Sequence, residues 1–237
     1  MTRTVGFVTI GQSPRADIME EFERALPGVR LLQRGALDDL SDGEIAALAP
    51  ADGDEVLVSR LRSDRQVRLA HRHIDLRVQA CLDRFAAEGV DLVVLLCTGE
   101  FPRLAFRSVL LHPHGVLPHV VAAVREGLPA TADVRLGVMV PDEAQIAPAA
   151  TRWGARAAVT AVAASPYGDP RAIAGAAGAL GRAGAALVVM DCIGYTREMQ
   201  QTVTREAGVP AVFATGAVAL VVRELVGAGA AIPSAGG

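Results

Sequence analysis

Lysine is missing from this 237-residue chain, so its 23 strongly basic side chains are all arginines. A chain without lysine cannot form the Schiff base that holds pyridoxal phosphate, and it lacks the lysine of a P-loop. Any amino-acid chemistry here must therefore proceed without the electron sink that pyridoxal phosphate supplies. We assign no cofactor to the chain.

Aromatic residues and clustered basic charge are also scarce. Phe, Trp and Tyr make up 4% of the residues, the formal net charge is −3, and the sequence has no basic tail or cluster. Proteins that read nucleic acids commonly stack bases on aromatic side chains and present a basic face to the phosphates. We therefore expect no nucleic-acid partner.

Long apolar runs and paired cysteines are absent from the sequence as well. No charge-free run reaches the roughly 18 apolar residues that a membrane-spanning helix needs. Residues 1–12 carry only a short apolar run, broken by a glycine and polar residues, which does not fit a signal peptide. The three cysteines form no CxxC pair, which is typical of reduced thiols. We expect a cytoplasmic protein without membrane contact.

Apolar residues of small and medium size dominate what is present. Hydrophobic residues make up 51% of the chain and are mostly Ala, Val and Leu, which suits a buried parallel sheet between Ala-rich helices. Strand-like runs alternate with helical patterns, and the plan occurs twice. The runs 4–10 and 134–140 open the two copies, and each copy closes with a strand that runs into a cysteine.

This repeat predicts the fold class: α/β, with two pseudo-symmetric parallel-sheet, flavodoxin-like lobes and a cleft between them. We expect one lobe to comprise residues 1–115 with 212–237 and to carry Cys97. The other lobe would comprise residues 116–211 and carry Cys192.

Capping and turn residues predict several local elements. Ser13 is a candidate N-cap with Pro14 at the first helical position. Ser41 or Asp42 would cap a short helix, and a polar turn at residues 63–64 would close a β-hairpin.

The two strand-ending cysteines are the candidate catalytic residues. Ligands of open parallel sheets bind beyond the carboxyl ends of the strands, so Cys97 and Cys192 should meet in one cleft. Small residues after each cysteine allow tight turns, and a following helix N-terminus would hold a carboxylate and lower the thiol pKa. One thiolate would take a proton from a carbon next to a carboxylate, and the other thiol would return a proton to the opposite face. Cys81, on an apolar helix face, is assigned to the core.

Other candidates flank the predicted cleft. Gln12, Ser13 and Arg15 follow the first strand and could bind a substrate carboxylate, although Ser13 could simply cap a helix and Arg15 could be solvated. Arg60 could clamp a carboxylate through a bidentate pair or be an exposed hairpin arginine.

The second copy has weaker candidates. Gln145 could touch substrate, but a helix start capped by Asp142 is favoured there. Tyr167 could close the cleft rim or pack a turn.

Six motifs, in this order, resemble the AroM family of bacterial proteins over nearly the whole chain. They are VTIGQSPRADI, VSRLRSD, LLCTGEFP, the tryptophan at position 153, SPYGDP and MDCIGYT. That family is similar in turn to the aspartate/glutamate racemase superfamily, which includes glutamate, aspartate and hydantoin racemases, maleate isomerase and arylmalonate decarboxylase. The resemblance implies an Asp/Glu racemase-like fold with one catalytic cysteine from each lobe, Cys97 and Cys192.

The chain departs from the racemases around both cysteines. Those enzymes usually follow the first cysteine with Asn-Thr, precede the second with Gly and follow it with Thr-His. Here Thr98 and Gly99 follow Cys97, whereas Asp191 precedes Cys192. The substrate should therefore differ from that of a standard glutamate racemase. The residues assigned to substrate binding near the cysteines are Thr98, Gly99, Gly194, Tyr195 and Thr196.

The leading hypothesis is a racemase or isomerase that needs no pyridoxal phosphate and acts α to a carboxylate with two cysteine bases. The alternatives are an isomerase with a cysteine nucleophile, a decarboxylase with one proton-donating thiol, and a small-acid binding protein that has lost catalysis. The histidines lack carboxylates at ligand spacing, so we predict no metal. A small carboxylate-bearing substrate is the expected partner, and a homodimer is compatible with the Ala- and Gly-rich helices.

Overall fold

The computed structural model describes residues 3–128, 134–155 and 157–227. Two parallel sheets organise this part of the chain. The first has the order β2-β1-β5-β6 and the second has the order β10-β9-β7-β8. A separate antiparallel hairpin is formed by β3 and β4. The strands are β1 (Thr4–Thr9), β2 (Arg30–Gly35), β3 (Val56–Arg60), β4 (Gln66–Ala70), β5 (Leu92–Leu96), β6 (Val109–Leu111), β7 (Arg135–Val140), β8 (Val159–Ala163), β9 (Ala185–Met190) and β10 (Ala211–Phe213).

Helices connect the strands and cover the sheets. They are α1 (Ala16–Ala25), α2 (Asp42–Ala46), α3 (Asp75–Ala87), α4 (Pro113–Glu126), α5 (Ile146–Gly154), α6 (Pro170–Arg182), α7 (Arg197–Ala207) and α8 (Ala214–Val226), with short 3₁₀ turns at His71–His73 and Glu143–Gln145. None of the helices in the described ranges is long and apolar enough to cross a membrane.

The predicted α/β fold of two similar parallel sheets is confirmed. The central strands β1, β5, β7 and β9 are almost entirely buried, as expected when helices cover both faces of a parallel sheet. One apolar cluster joins the two halves, because Phe7 of β1 and Val94 of β5 belong to the same cluster as Leu136 of β7 and Leu187 of β9. Strands β5 and β9 are therefore connected through this shared apolar core.

The local predictions have mixed outcomes. The hairpin is confirmed by β3 and β4, and Ser41 forms a capping box with Glu44 at the start of α2. Capping of α1 by Ser13 is wrong, because α1 begins at Ala16 and Arg15 occupies the N-cap position without a side-chain bond. The Ser13 hydroxyl instead donates to Asp38 at 2.6 Å, and the following peptide bond to Pro14 is cis.

Two elements, β6 and α4, lie in a stretch for which the sequence predicted neither strand nor helix. Strand β10 pairs with β9 in the second sheet, while α8, which follows it, packs against α1 and α4. The division into lobes of 1–115 with 212–237 and of 116–211 stays a prediction.

Candidate active site

A cleft of about 570 Å³ opens beyond the carboxyl ends of β5 and β9. Both Cys97, after β5, and Cys192, after β9, line this cleft. Its other walls come from the hairpin strand β3, from α5 and the turn before it, and from Tyr167. Side chains from both sequence copies therefore share one concave surface, as the repeat predicted.

The two thiols have matching surroundings. The backbone N–H of Gly99 donates to the Cys97 sulfur at 3.4 Å, and that of Gly194 donates to the Cys192 sulfur at 3.4 Å. Both cysteines are buried, with 8% and 6% of their surface exposed. In each case the donor lies two residues after the cysteine.

Burial dominates the acidity of both thiols. Burial, with a smaller contribution from the nearby Cys192, raises the pKa of Cys97 to about 12, although the Gly99 N–H and Arg152 favour the thiolate. Burial likewise raises the pKa of Cys192, against the Gly194 N–H, Arg15 and the Tyr167 hydroxyl. The expected lowering of the thiol pKa by helix N-termini is therefore wrong. A loop, not a helix, follows Cys97, and α7 begins only at Arg197.

Arg15 brings positive charge to the Cys192 side of the cleft. Its side chain is 3% exposed and pairs with Asp17, with Nε and Nη2 donating at 3.0 and 2.8 Å. The same Nη2 donates to the Tyr167 hydroxyl at 3.1 Å. Tyr167 thus lines the cleft as a link between Arg15 and Cys192, which decides between the two roles considered for it.

Arg152 brings positive charge to the Cys97 side, and it is a residue that the sequence analysis missed. Its Nη1 donates to the Thr98 carbonyl at 3.2 Å, and its Nη2 pairs with Oδ2 of Asp191. Trp153 donates through Nε1 to the same Oδ2 at 2.8 Å, and the Thr98 hydroxyl donates to the Asp191 carbonyl at 3.2 Å. This polar cluster ties the turn after Cys97 to the strand end before Cys192. The sequence feature that could have pointed to this cluster was the tryptophan at position 153, one of the six motifs, which neighbours Arg152 in α5.

Several predicted binding residues lie near the cleft without being part of its lining. Gln12 donates to the Leu37 carbonyl and accepts from the Arg62 N–H, at 3.4 and 3.1 Å. Arg60 pairs with Asp17 and Asp64 at 3.4 and 2.8 Å. Ser13 is engaged by Asp38, as described above. Among the predicted carboxylate-binding residues, Arg15, Thr98 and Gly99 are part of the lining.

The residues after Cys192 also have partners within the protein. The Tyr195 hydroxyl donates to the Ala164 carbonyl at 2.7 Å, and its ring is buried. Thr196 caps α7 by accepting from the Met199 N–H at 3.4 Å. Gly194 contributes its N–H to the thiol and leaves space for Tyr167.

The second copy contributes Gln145 to the lining. Its side-chain amide donates to the Val56 carbonyl at 2.8 Å, while Asp142 accepts from the Ala144 N–H at 3.0 Å as the favoured cap. No group of three or more His, Cys, Asp and Glu residues within the described ranges is placed to hold a metal ion. Cys81 lies in the apolar core, as predicted.

Comparison with solved structures defines the class of protein as an Asp/Glu racemase-like α/β fold. A maleate isomerase from Pseudomonas putida S16 superimposes with a TM-score of 0.62 at 12% identity, covering 96% of this chain and 94% of that chain. A glutamate racemase isoform from Bacillus anthracis gives 0.61 at 13% identity, covering 95% and 82%. An arylmalonate decarboxylase gives 0.60 at 15% identity, covering 97% and 95%. At these low sequence identities, the comparisons show a shared fold and nothing more specific.

Within that class the chain belongs to the AroM family, because the profile of the AroM protein matches residues 5–226. No curated protein sequence matches the chain.

Proposed function

We propose that this protein is a racemase or isomerase that acts at a carbon next to a carboxylate, with Cys97 and Cys192 as its two acid–base groups. The observation that supports this best is the matched pair of thiols. They follow equivalent strands of two similar sheets, line one cleft, and each accept an N–H from the glycine two residues later. Such a pair can exchange a proton on either face of a carbon held between them.

The proposed turnover needs no external reactant. One cysteine thiolate removes the α-proton and becomes a thiol, while the electron pair of the C–H bond moves into the carboxylate as an enediolate. The other thiol donates its proton to the opposite face and becomes a thiolate. Arg15 and Arg152 supply positive charge near the developing negative charge, where a partly enclosed site strengthens the interaction.

The supply of thiolate limits this chemistry. Burial keeps the thiols protonated at neutral pH, since it raises the pKa of each. Arg152 favours the thiolate at Cys97 and Arg15 favours it at Cys192. One guanidinium per thiol therefore allows either cysteine to be the base, which a reversible racemase requires.

Deuterium wash-in tests the proposal. We would incubate the reduced protein in D₂O with α-amino acids, α-hydroxy acids, hydantoins and maleate-type diacids, and follow the α-proton by NMR. We expect wash-in with at least one class and its loss in Cys97→Ser and in Cys192→Ser. The matched control is Cys81→Ser, a buried thiol outside the cleft, which should keep the activity.

Full activity in either cleft variant would overturn the two-base proposal. Binding without exchange at any carbon would instead favour a small-acid binding protein on the same fold.

A second function is favoured by one observation, the burial of both thiols, which raises the pKa of each. A buried thiol of raised pKa suits a proton donor to a carbanion left after loss of CO₂. Such a decarboxylase would release CO₂ from a substituted malonate and would need only one of the two cysteines. Carbon dioxide release that survives one of the two Cys→Ser changes, with no wash-in on unreacted substrate, would select this function.

A further inference from the structure

We propose that the Arg152–Asp191 ion pair binds the zwitterionic head of an α-amino acid, so that the substrate class is α-amino acids. This inference rests on the proposed function and assigns the group that the cleft recognises. In the proposed contact Arg152 donates to the carboxylate, and Oδ1 of Asp191 accepts from the α-ammonium group.

The first reason is an unused donor and an unused acceptor within one ion pair. Nε of Arg152 and Oδ1 of Asp191 are buried and have no hydrogen-bond partner in the part of the chain that the structure describes. The remaining polar atoms of the pair are occupied, Oδ2 of Asp191 by Arg152 and Trp153, and Nη1 of Arg152 by the Thr98 carbonyl. Buried polar atoms without partners are uncommon, and each is costly unless something binds there.

The second reason is the position of the pair, which lies beside the neighbours of both thiols. Asp191 directly precedes Cys192, and its side chain is only 2% exposed although the residue lines the cleft. Arg152 donates to the carbonyl of Thr98, the residue that follows Cys97. A head group held by this pair would place its α-carbon between the two acid–base groups.

The Asp191→Asn variant tests the contact because it reverses one hydrogen-bond direction. The asparagine oxygen should remain with Arg152 and Trp153, which both donate, so its NH₂ group would occupy the place of Oδ1. A donor would then face the ammonium donor. The matched control is Glu100→Gln, which removes the same charge from an exposed rim position of the same cleft.

The measurement is binding by ligand-observed NMR with matched sets: alanine, lactate and propionate; leucine, 2-hydroxy-4-methylpentanoate and 4-methylpentanoate; and glutamate, 2-hydroxyglutarate and glutarate. In the wild type we expect the best amino acid to bind at least about tenfold more tightly than its hydroxy and unsubstituted partners, the effect of one charged hydrogen bond. Asp191→Asn should remove this preference and Glu100→Gln should keep it. Melting temperatures establish that both variants fold.

Equal binding of the three members of every set would overturn the inference, as would an unchanged preference in folded Asp191→Asn or no binding by any ligand. If Asp191→Asn does not fold, the wild-type ranking alone decides. Deuterium exchange on the same samples separates the two proposals. An amino-acid preference without exchange would overturn the proposed function only, whereas exchange solely in ligands without nitrogen would overturn this inference only.

Discussion

Gly194 packs against the hydroxyl group of Tyr167 so closely that a β-carbon at position 194 would lie 2.2 Å from the hydroxyl oxygen. The same glycine donates its N–H to Cys192, and the same hydroxyl accepts from Arg15. The absence of a side chain at this position therefore allows three partners to converge on one thiol.

We expect Gly194→Ala to reduce α-proton exchange by at least about tenfold, because the added methyl group must displace the Tyr167 ring and its stabilising contact with the thiolate. The matched variant is Gly99→Ala in the other half, where the nearest atom to an added β-carbon is a Leu57 methyl at 3.1 Å. That side chain can yield by a few tenths of an ångström, so Gly99→Ala should cost much less activity. Exchange rates at equal protein concentration make the comparison. Equal losses in the two variants would contradict the role given to Tyr167.

Tyr167→Phe removes the hydroxyl while keeping the ring. Because that hydroxyl favours the Cys192 thiolate, the variant should raise the pKa of Cys192 and leave that of Cys97 in place. Hydrogen bonds to charged groups contribute about 1.5–3 kcal/mol, so exchange should fall about ten- to hundredfold at fixed pH. Thiolate absorbance followed against pH in Cys81→Ser/Cys97→Ser and Cys81→Ser/Cys192→Ser backgrounds reports each sulfur separately. A shift of equal size at both sulfurs would show that the effect is not local.

The fold and the position of the two thiols in one cleft could be predicted from the sequence, because both follow from the order of strands, helices and cysteines along the chain. The order of residues along the chain shows that strands alternate with helices. It also shows that a cysteine ends a strand at corresponding places in the two copies. The parallel-sheet rule then places both cysteines at one edge. The acidity of the thiols was not predictable in the same way, since it depends on how deeply each sulfur is buried.

The polar groups of the cleft were harder to predict because they pair across the two halves. Arg152 touches the Thr98 carbonyl and Asp191, neither of which is near it in sequence. Ser13 precedes a proline and a helical pattern, so local rules favoured a cap, but Asp38 from a later turn takes its hydroxyl. Tertiary partners of this kind override local preference.

Alkaline pH should destabilise the protein through its buried thiols. Burial raises the pKa of Cys97 from an ordinary value of 9.0 to about 12. The unfolded chain therefore loses this proton first, and the thiol's contribution to stability is complete below about pH 9 and is lost as pH rises toward 12. We expect the free energy of unfolding to fall by up to about 1.4 kcal/mol per pH unit for each such thiol. Urea unfolding of wild type and Cys97→Ala between about pH 8 and pH 10.5, with reductant, measures the difference. Parallel pH profiles for the two proteins would show that Cys97 ionises as easily in the folded state as in the unfolded chain.

The loop that carries Arg15 into the cleft depends on Asp38. This carboxylate accepts from the Ser13 N–H at 2.7 Å, the Ser13 hydroxyl at 2.6 Å, the Gly35 N–H at 2.8 Å and Nη2 of Arg62 at 2.7 Å. Asp38→Ala leaves these donors without an acceptor, and we expect it to lower the free energy of unfolding by about 2–4 kcal/mol. The neighbouring Asp39→Ala, which removes one exposed pair with Arg84, should change it by less than about 1 kcal/mol.

The hydrogen bond between Ser13 and Asp38 predicts a structural role for Ser13, which can be distinguished by experiment from a role in binding substrate. Because Asp38 takes the Ser13 hydroxyl, Ser13→Ala should cost about 1 kcal/mol of stability, seen as a lower midpoint in urea. The KM of the exchange reaction should stay unchanged, since Ser13 is not part of the cleft lining. Stability and KM are measured on the same preparation, with Ser63→Ala, a serine at the exposed hairpin turn, as the control. A raised KM without any loss of stability would return Ser13 to the substrate-binding residues.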